Sequence, residues 1–116
     1  MRRNKDPGPA PSPAMHHILL ALLEGERHGY AIMQSVERIT EGAVAMGPGT
    51  LYGALKRLLE AGLVEEASER SDGDERRRYY RLTASGRQAI REETARLQRL
   101  VEFAHGLLPA RTRGRA

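Results

Sequence analysis

The chain has 116 residues, enough for one domain of ordinary size with tails. Its 19 basic and 15 acidic residues leave a net charge of +4, and every basic residue except Lys5 and Lys56 is an arginine, the side chain best suited to phosphate, carboxylate and base edges. The absence of cysteine excludes a disulfide framework and thiolate metal sites, and the longest apolar run, Ile18 to Leu23, is far short of the roughly 20 residues a membrane span needs.

The excess positive charge sits at the ends. Arg2, Arg3 and Lys5 stand against Asp6 alone, and Arg111, Arg113 and Arg115 stand unopposed, so residues 14–109 are slightly acidic. A basic isoelectric point therefore says less about nucleic acid than the placement of arginines within the middle does. Residues 1–13 are Pro-rich and polar and read as a disordered basic arm. Prolines 7, 9, 11 and 13 follow Arg2-Arg3 where an export signal needs an apolar stretch, so the expected location is cytoplasmic. The core is lean, with no tryptophan and one phenylalanine, which points to help from oligomerisation.

Ser12 before Pro13 predicts a helix start, a hydroxyl cap followed by proline in the first turn. This first helix is expected over about 14–24, ended by Gly25, and its run Ile18–Leu23 is apolar all round. A second helix is expected from near Gly29 to Gly42, with Tyr30, Met33, Val36 and Ile39 on one stripe and Ile32 beside it. After a loop at 43–48, Pro48 opens a third helix whose Leu51, Leu55, Leu58 and Leu59 form an apolar stripe. Thr50, Tyr52, Gly53, Lys56 and Arg57 fall mainly on its other face. Gly62 supplies a left-handed stop. The period then changes. Residues 63–67 read as a strand, 71–74 as a turn and 78–82 as the returning strand of a β-hairpin. Thr83 caps a last helix of about 84–107. Its positions Ile90, Thr94, Leu97, Val101, Ala104 and Leu108 step by 4, 3, 4, 3, 4, the spacing of a heptad seam.

Three helices, a hairpin and a long helix, mainly α with a small β element, predict a winged helix-turn-helix over 14–83. A dimerisation helix over 84–108 and a disordered basic tail over 109–116 follow. The third helix is then the one expected to enter the major groove, with the hairpin as the wing.

Several blocks carry a family likeness: Ile18–Leu23, Arg27-His28-Gly29-Tyr30, Gly49-Thr50-Leu51-Tyr52-Gly53-Ala54-Leu55-Lys56-Arg57-Leu58, Gly62-Leu63-Val64, and Arg77-Arg78-Tyr79-Tyr80-Arg81-Leu82-Thr83 with Gly86. In this order and spacing the chain resembles the PadR family of bacterial transcriptional regulators, over about residues 18–90. Gly53 stands where many members have proline. The resemblance implies a short member that dimerises through its C-terminal helix and first helix. That places Ile18 and Leu22 in the interface with Ile90, Leu97, Val101, Ala104 and Leu108. It also implies a small-molecule effector between subunits in some members. The corresponding positions here are Leu97 and, farther along, Phe103.

The residues themselves predict double-stranded DNA as the partner. Thr50, Tyr52, Gly53, Lys56 and Arg57 form the candidate reading face, Thr50 and Tyr52 near the helix N-terminus where backbone N–H groups favour phosphate. Arg76, Arg77 and Arg78 are candidate wing contacts. The bland alternative pairs them with Asp72, Asp74 and Glu75. Alternation sends Arg77 and Arg78 to opposite faces, and one of Tyr79 and Tyr80 into the core. His16, His17, His28 and His105 match no metal-ligand spacing, so no metal is expected, and His28 reads as a helix cap. Gly47-Pro48-Gly49-Thr50 lacks the Lys-Ser/Thr of a phosphate loop, and no nucleophile is spaced to a base, so neither enzyme activity nor a cofactor is expected. Taken together these readings predict a homodimeric repressor on an inverted-repeat operator, relieved by an effector, with no membrane partner. The rival readings are a winged-helix protein-interaction module and a nonspecific nucleic-acid binder working through the basic tails.

Overall fold

The computed structural model describes residues 11–72 and 75–109. In chain order these form α1 (Pro13–Leu22), β1 (Arg27–His28), α2 (Gly29–Ile39), α3 (Pro48–Glu60), β2 (Val64–Asp72), β3 (Glu75–Leu82) and α4 (Ala84–Leu107). The expected basic arm and tail lie outside the described residues, apart from residues 11–13 and 109.

The helix starts follow the expected chemistry. The Ser12 hydroxyl accepts the Met15 N–H at 3.2 Å, with Pro13 in the first turn. His28 caps α2, its Nδ1 accepting the Ala31 N–H at 3.2 Å. At α4 the Thr83 hydroxyl accepts the Gly86 N–H at 3.0 Å and donates to the Gly62 carbonyl at 2.6 Å, which ties the end of α3 to the start of α4. Gly62 has φ +76°, the left-handed conformation that ends α3 without Cβ strain.

Three helices enclose the core. Ile18, Leu19 and Leu22 of α1 meet Ile32 and Val36 of α2 and Leu51, Leu55 and Leu58 of α3, all essentially removed from solvent. Val64, Tyr80, Leu82 and Ile90 close the cluster from the sheet and from α4. Burying each large aliphatic side chain contributes about 1.5–3 kcal/mol, so this octet is the main favourable contribution to folding.

The sheet is three-stranded, in the order β1-β3-β2, and antiparallel throughout. The short strand β1, which the sequence does not mark, pairs Arg27 with Tyr80 and His28 with Tyr79. The two hairpin strands run longer than expected, over 64–72 and 75–82, with an irregularity in register between Glu66 and Glu69. Tyr80 points into the core, while Tyr79 is half-buried and meets the His28 ring edge-on at 5.3 Å. These elements make a winged helix-turn-helix with a long C-terminal helix.

Two expectations change. Ile18 and Leu22 are 0% and 2% exposed inside the chain's own core, so neither has surface left for a partner; the residue of that segment that faces outward is Leu23. Ile90 is likewise mostly covered by its own chain. An apolar run records burial without saying what does the burying. On α2 the buried stripe is Ile32, Ser35 and Val36, whereas Tyr30 and Ile39 are exposed.

Candidate nucleic-acid interface

The helix-turn-helix is α2, residues 40–47 and α3. Thr40 fixes the turn between the helices. Its hydroxyl donates to the Val36 carbonyl at 2.8 Å and accepts the Val44 N–H at 3.1 Å. Leu51, Ala54, Leu55 and Leu58 anchor α3 to the core, and this fixes which face is presented outward. On that outward face stand Thr50, Tyr52, Lys56 and Arg57, all exposed, with Gly53 half-buried beside them. Gly47 caps α3 without a side-chain hydrogen bond, so the first-turn N–H groups of Gly49 and Thr50 have no capping side chain and are open to an anion. Among the described residues, neither Lys56 nor Arg57 is engaged by a carboxylate. The expected face is thus assembled as one surface.

Tyr52 is half-exposed yet held in place. Its phenol packs on Gly29 at the start of α2, so closely that a Cβ there would lie 2.9 Å from Cζ and nearer still to the hydroxyl. Between the start of α2, Tyr52 and β3 lies a cleft of about 550 Å³, bordered by Tyr30, Tyr52 and the Arg76–Arg78 segment. The recognition helix and the wing are the two walls of this cleft.

The wing arginines divide by strand alternation. Arg76 and Arg78 share the face of β3 that carries Tyr80 and Leu82. Arg77 is on the other face with Tyr79, and one of its guanidinium nitrogens lies 3.2 Å from His28 Nδ1 and 3.4 Å from Nε2. Near-equal distances to both ring nitrogens put that nitrogen over the ring rather than in line with either lone pair. Arg76 pairs with Glu69 at 3.0 Å and Arg78 with Glu66 at 3.7 Å. These cross-strand partners are not the acids next to the turn that sequence suggested; Asp74 and the side chains of Asp72 and Glu75 lie outside the described set. Arg81 joins Glu65 at 2.8 Å and Glu26 at 3.5 Å, away from the cleft. Burial, and after it the nearby Glu66 carboxylate, raise the Tyr80 phenol above its usual range.

Sequence reasoning missed Tyr30, which spacing assigned to the α2 core stripe and which instead stands 56% exposed at the mouth of the cleft. Its position directly after Gly29, at the very start of the helix, was the available signal. It also missed Glu66 and Glu69, whose cross-strand reach depends on register.

The expected dimer residues separate in two groups. Leu97 and Val101 are exposed, in line with Leu100, Phe103 and Leu107 on the distal half of α4. Ala104 is half-buried, and Leu108 lies just past the helix in extended conformation. Leu97 and Phe103 line neither the cleft nor the groove of about 540 Å³ beside Leu23 and Ile90.

A family model described as the transcriptional regulator PadR-like family matches residues 18–92. The chain belongs to that family. The match runs from α1 into the first turns of α4 and so takes in both walls of the cleft. The chain is 37% identical over 90 residues to transcriptional regulator Rv3488 of Mycobacterium tuberculosis, covering 78% of this chain and 80% of that one. It is 39% identical over 83 residues to a 37.1 kDa protein in transposon TN4556 of Streptomyces fradiae, covering 72% of this chain but only 22% of that protein's length. Its fold resembles the crystal structure of Bacillus subtilis PadR in complex with operator DNA, with TM-score 0.63 and 19% identity over 90% of this chain and 52% of that one. Among the described residues no helix is long and apolar enough to cross a membrane.

Proposed function

We propose that this PadR-like chain is a sequence-specific DNA-binding repressor that works as a homodimer. The observation that carries the reading is the outward face of α3, where Thr50, Tyr52, Lys56 and Arg57 stand together, exposed, beside uncapped N–H groups and across a cleft from the wing arginines. Tyr52, Thr50 and the basic pair contact base edges and phosphates in the major groove, and the wing lies along the adjacent backbone. The solved complex of Bacillus subtilis PadR with operator DNA supports DNA as the partner class.

Dimerisation is supported by α4. Its distal half leaves Leu97, Leu100, Val101, Phe103 and Leu107 exposed among the described residues. Two such helices side by side bury the stripe and fix the distance between two recognition helices. The operator is then an inverted repeat with half-sites about one helical turn apart. An effector enters this reading as a ligand of the dimer seam, between Leu97 and Phe103 of paired helices, and favours the spacing that does not fit DNA. No reaction is assigned to the chain, and its DNA partner places it in the cytoplasm.

Selection of bound duplexes from a random pool tests the reading. The expected result is enrichment of one two-fold symmetric sequence. Recovery of a pool no different from the input would overturn it.

A further inference from the structure

The candidate DNA face carries two kinds of positive charge. Lys56 and Arg57 on α3 have no carboxylate among the described residues, whereas Arg76 and Arg78 on the wing each have one. The pairing is built into the sheet. Glu66 stands opposite Tyr80 and Glu69 opposite Arg78, so each glutamate reaches diagonally to the arginine two places farther towards the tip, on the face that carries Tyr80. All four side chains remain half to three-quarters exposed, so the pairs can exchange with other anions.

We propose that Glu66 and Glu69 are specificity-determining residues of the DNA face. They act as intramolecular competitors for the phosphates that Arg76 and Arg78 would otherwise bind on any duplex. The proposal rests on the DNA-binding reading above and adds to it. A phosphate that reaches either arginine meets a carboxylate already beside the guanidinium, which competes for its N–H groups and repels the anion. The wing's sequence-independent attraction is therefore weakened, while base contacts from α3 keep their full value. Because specificity is a difference of affinities, lowering the nonspecific term raises the operator's advantage over the rest of the genome. The exchange becomes favourable where α3 docks in register and holds the wing against the backbone.

The test uses the full chain and its Glu66→Gln/Glu69→Gln variant, titrated against a scrambled duplex and against the duplex enriched by selection, over a series of salt concentrations. The variant is expected to bind scrambled DNA roughly 3- to 10-fold more tightly, with a salt slope steeper by about one to two, as for one or two added phosphate contacts. Operator affinity is expected to rise less, so the specificity ratio falls. Glu65→Gln removes one carboxylate charge, half the change of the double variant, on the outer face of β2, where the partner is Arg81, and is expected to change binding little. Adding Arg76→Ala and Arg78→Ala to the glutamine variant is expected to remove the gain. Unchanged affinity and slope on scrambled DNA, an equal gain on both duplexes, or an equal gain from Glu65→Gln would each overturn the proposal. Absence of salt-dependent binding of the unmodified chain to either duplex would instead overturn the DNA-binding reading beneath it. Thermal melting of each variant confirms that folded protein is being compared.

Discussion

The Tyr52 phenol of the recognition helix rests on the bare Cα of Gly29, the first residue of the helix before it. This contact joins the two helices of the DNA-binding motif at the edge of the hydrophobic core, beside Leu51. It also sets the direction of one of the aromatic side chains that line the cleft. Glycine at 29 is required by a neighbour, since its own conformation is one any residue adopts at a helix start.

Gly29→Ala should therefore displace Tyr52. Overpacking of this kind costs about 1–3 kcal/mol, and Leu51 Cδ2 at 3.2 Å closes one direction of escape. The stability cost should shrink when Tyr52 is also replaced by alanine, because the clash is then gone. A double-mutant cycle by chemical denaturation checks this coupling. Additive effects of the two substitutions would contradict it.

Gly86 is packed more tightly, and against backbone. A Cβ there would meet the Leu63 carbonyl, with the carbonyl carbon 3.1 Å away, at the junction where Thr83 ties α3 to α4. Neither partner can rotate aside. Gly86→Ala should destabilise the fold by about 3 kcal/mol or more, seen as a large drop in the denaturation midpoint.

Gly53 presents the opposite case. It lies inside α3, and a Cβ at this position meets nothing within 4 Å. Gly53→Ala should stabilise the protein by roughly 0.5–1 kcal/mol, the usual cost of glycine in a helix interior. A rise in thermal midpoint checks it.

His16 gives stability a pH dependence. It is buried, its Nδ1 has no hydrogen-bond partner among the described residues, and burial lowers its pKa from the ordinary 6.5. The Glu93 carboxylate on α4 opposes that shift only in part, while His17 and Arg96 add to it. The unfolded chain thus takes up the proton before the folded chain does. Stability is complete above pH 6.5 and falls as pH drops through that value towards the lower folded pKa. Glu93 is itself held below the usual 4.5 by Arg96, so its own loss of stability comes at lower pH. Denaturation at about pH 7.5 and about pH 5.5 spans this window. The midpoint should be lower at the acid value, and His16→Gln should flatten the difference.

The sequence disclosed what periodicity and capping control. Ser12, His28 and Thr83 cap as their side chains suggest, and the leucines of α3 settle which face is outward. Strand β1 was hidden because two residues carry no period. The wing was read too short because β2 and β3 are rich in Glu and Arg, with little apolar alternation to mark them. Tyr30 was assigned to a core stripe because one turn of helix cannot separate neighbouring faces. The run Ile18–Leu23 is the same string whichever surface covers it, so it does not separate burial of Ile18 and Leu22 by their own chain from burial by a partner. The Glu66–Arg78 and Glu69–Arg76 pairs depend on register and on an irregularity between Glu66 and Glu69, neither of which is written in composition or spacing.

The central claim is that the outward face of α3 reads DNA, and one titration addresses it most directly. The duplex enriched by selection and a scrambled duplex of the same length are titrated with the unmodified chain and with Tyr52→Ala and Lys56→Ala, at two salt concentrations. The account predicts preferential binding that survives the higher salt, and a loss of roughly 1–3 kcal/mol of that preference on replacing the residue that reads a base. Equal binding of both duplexes that disappears with salt, unchanged by either substitution, would contradict it.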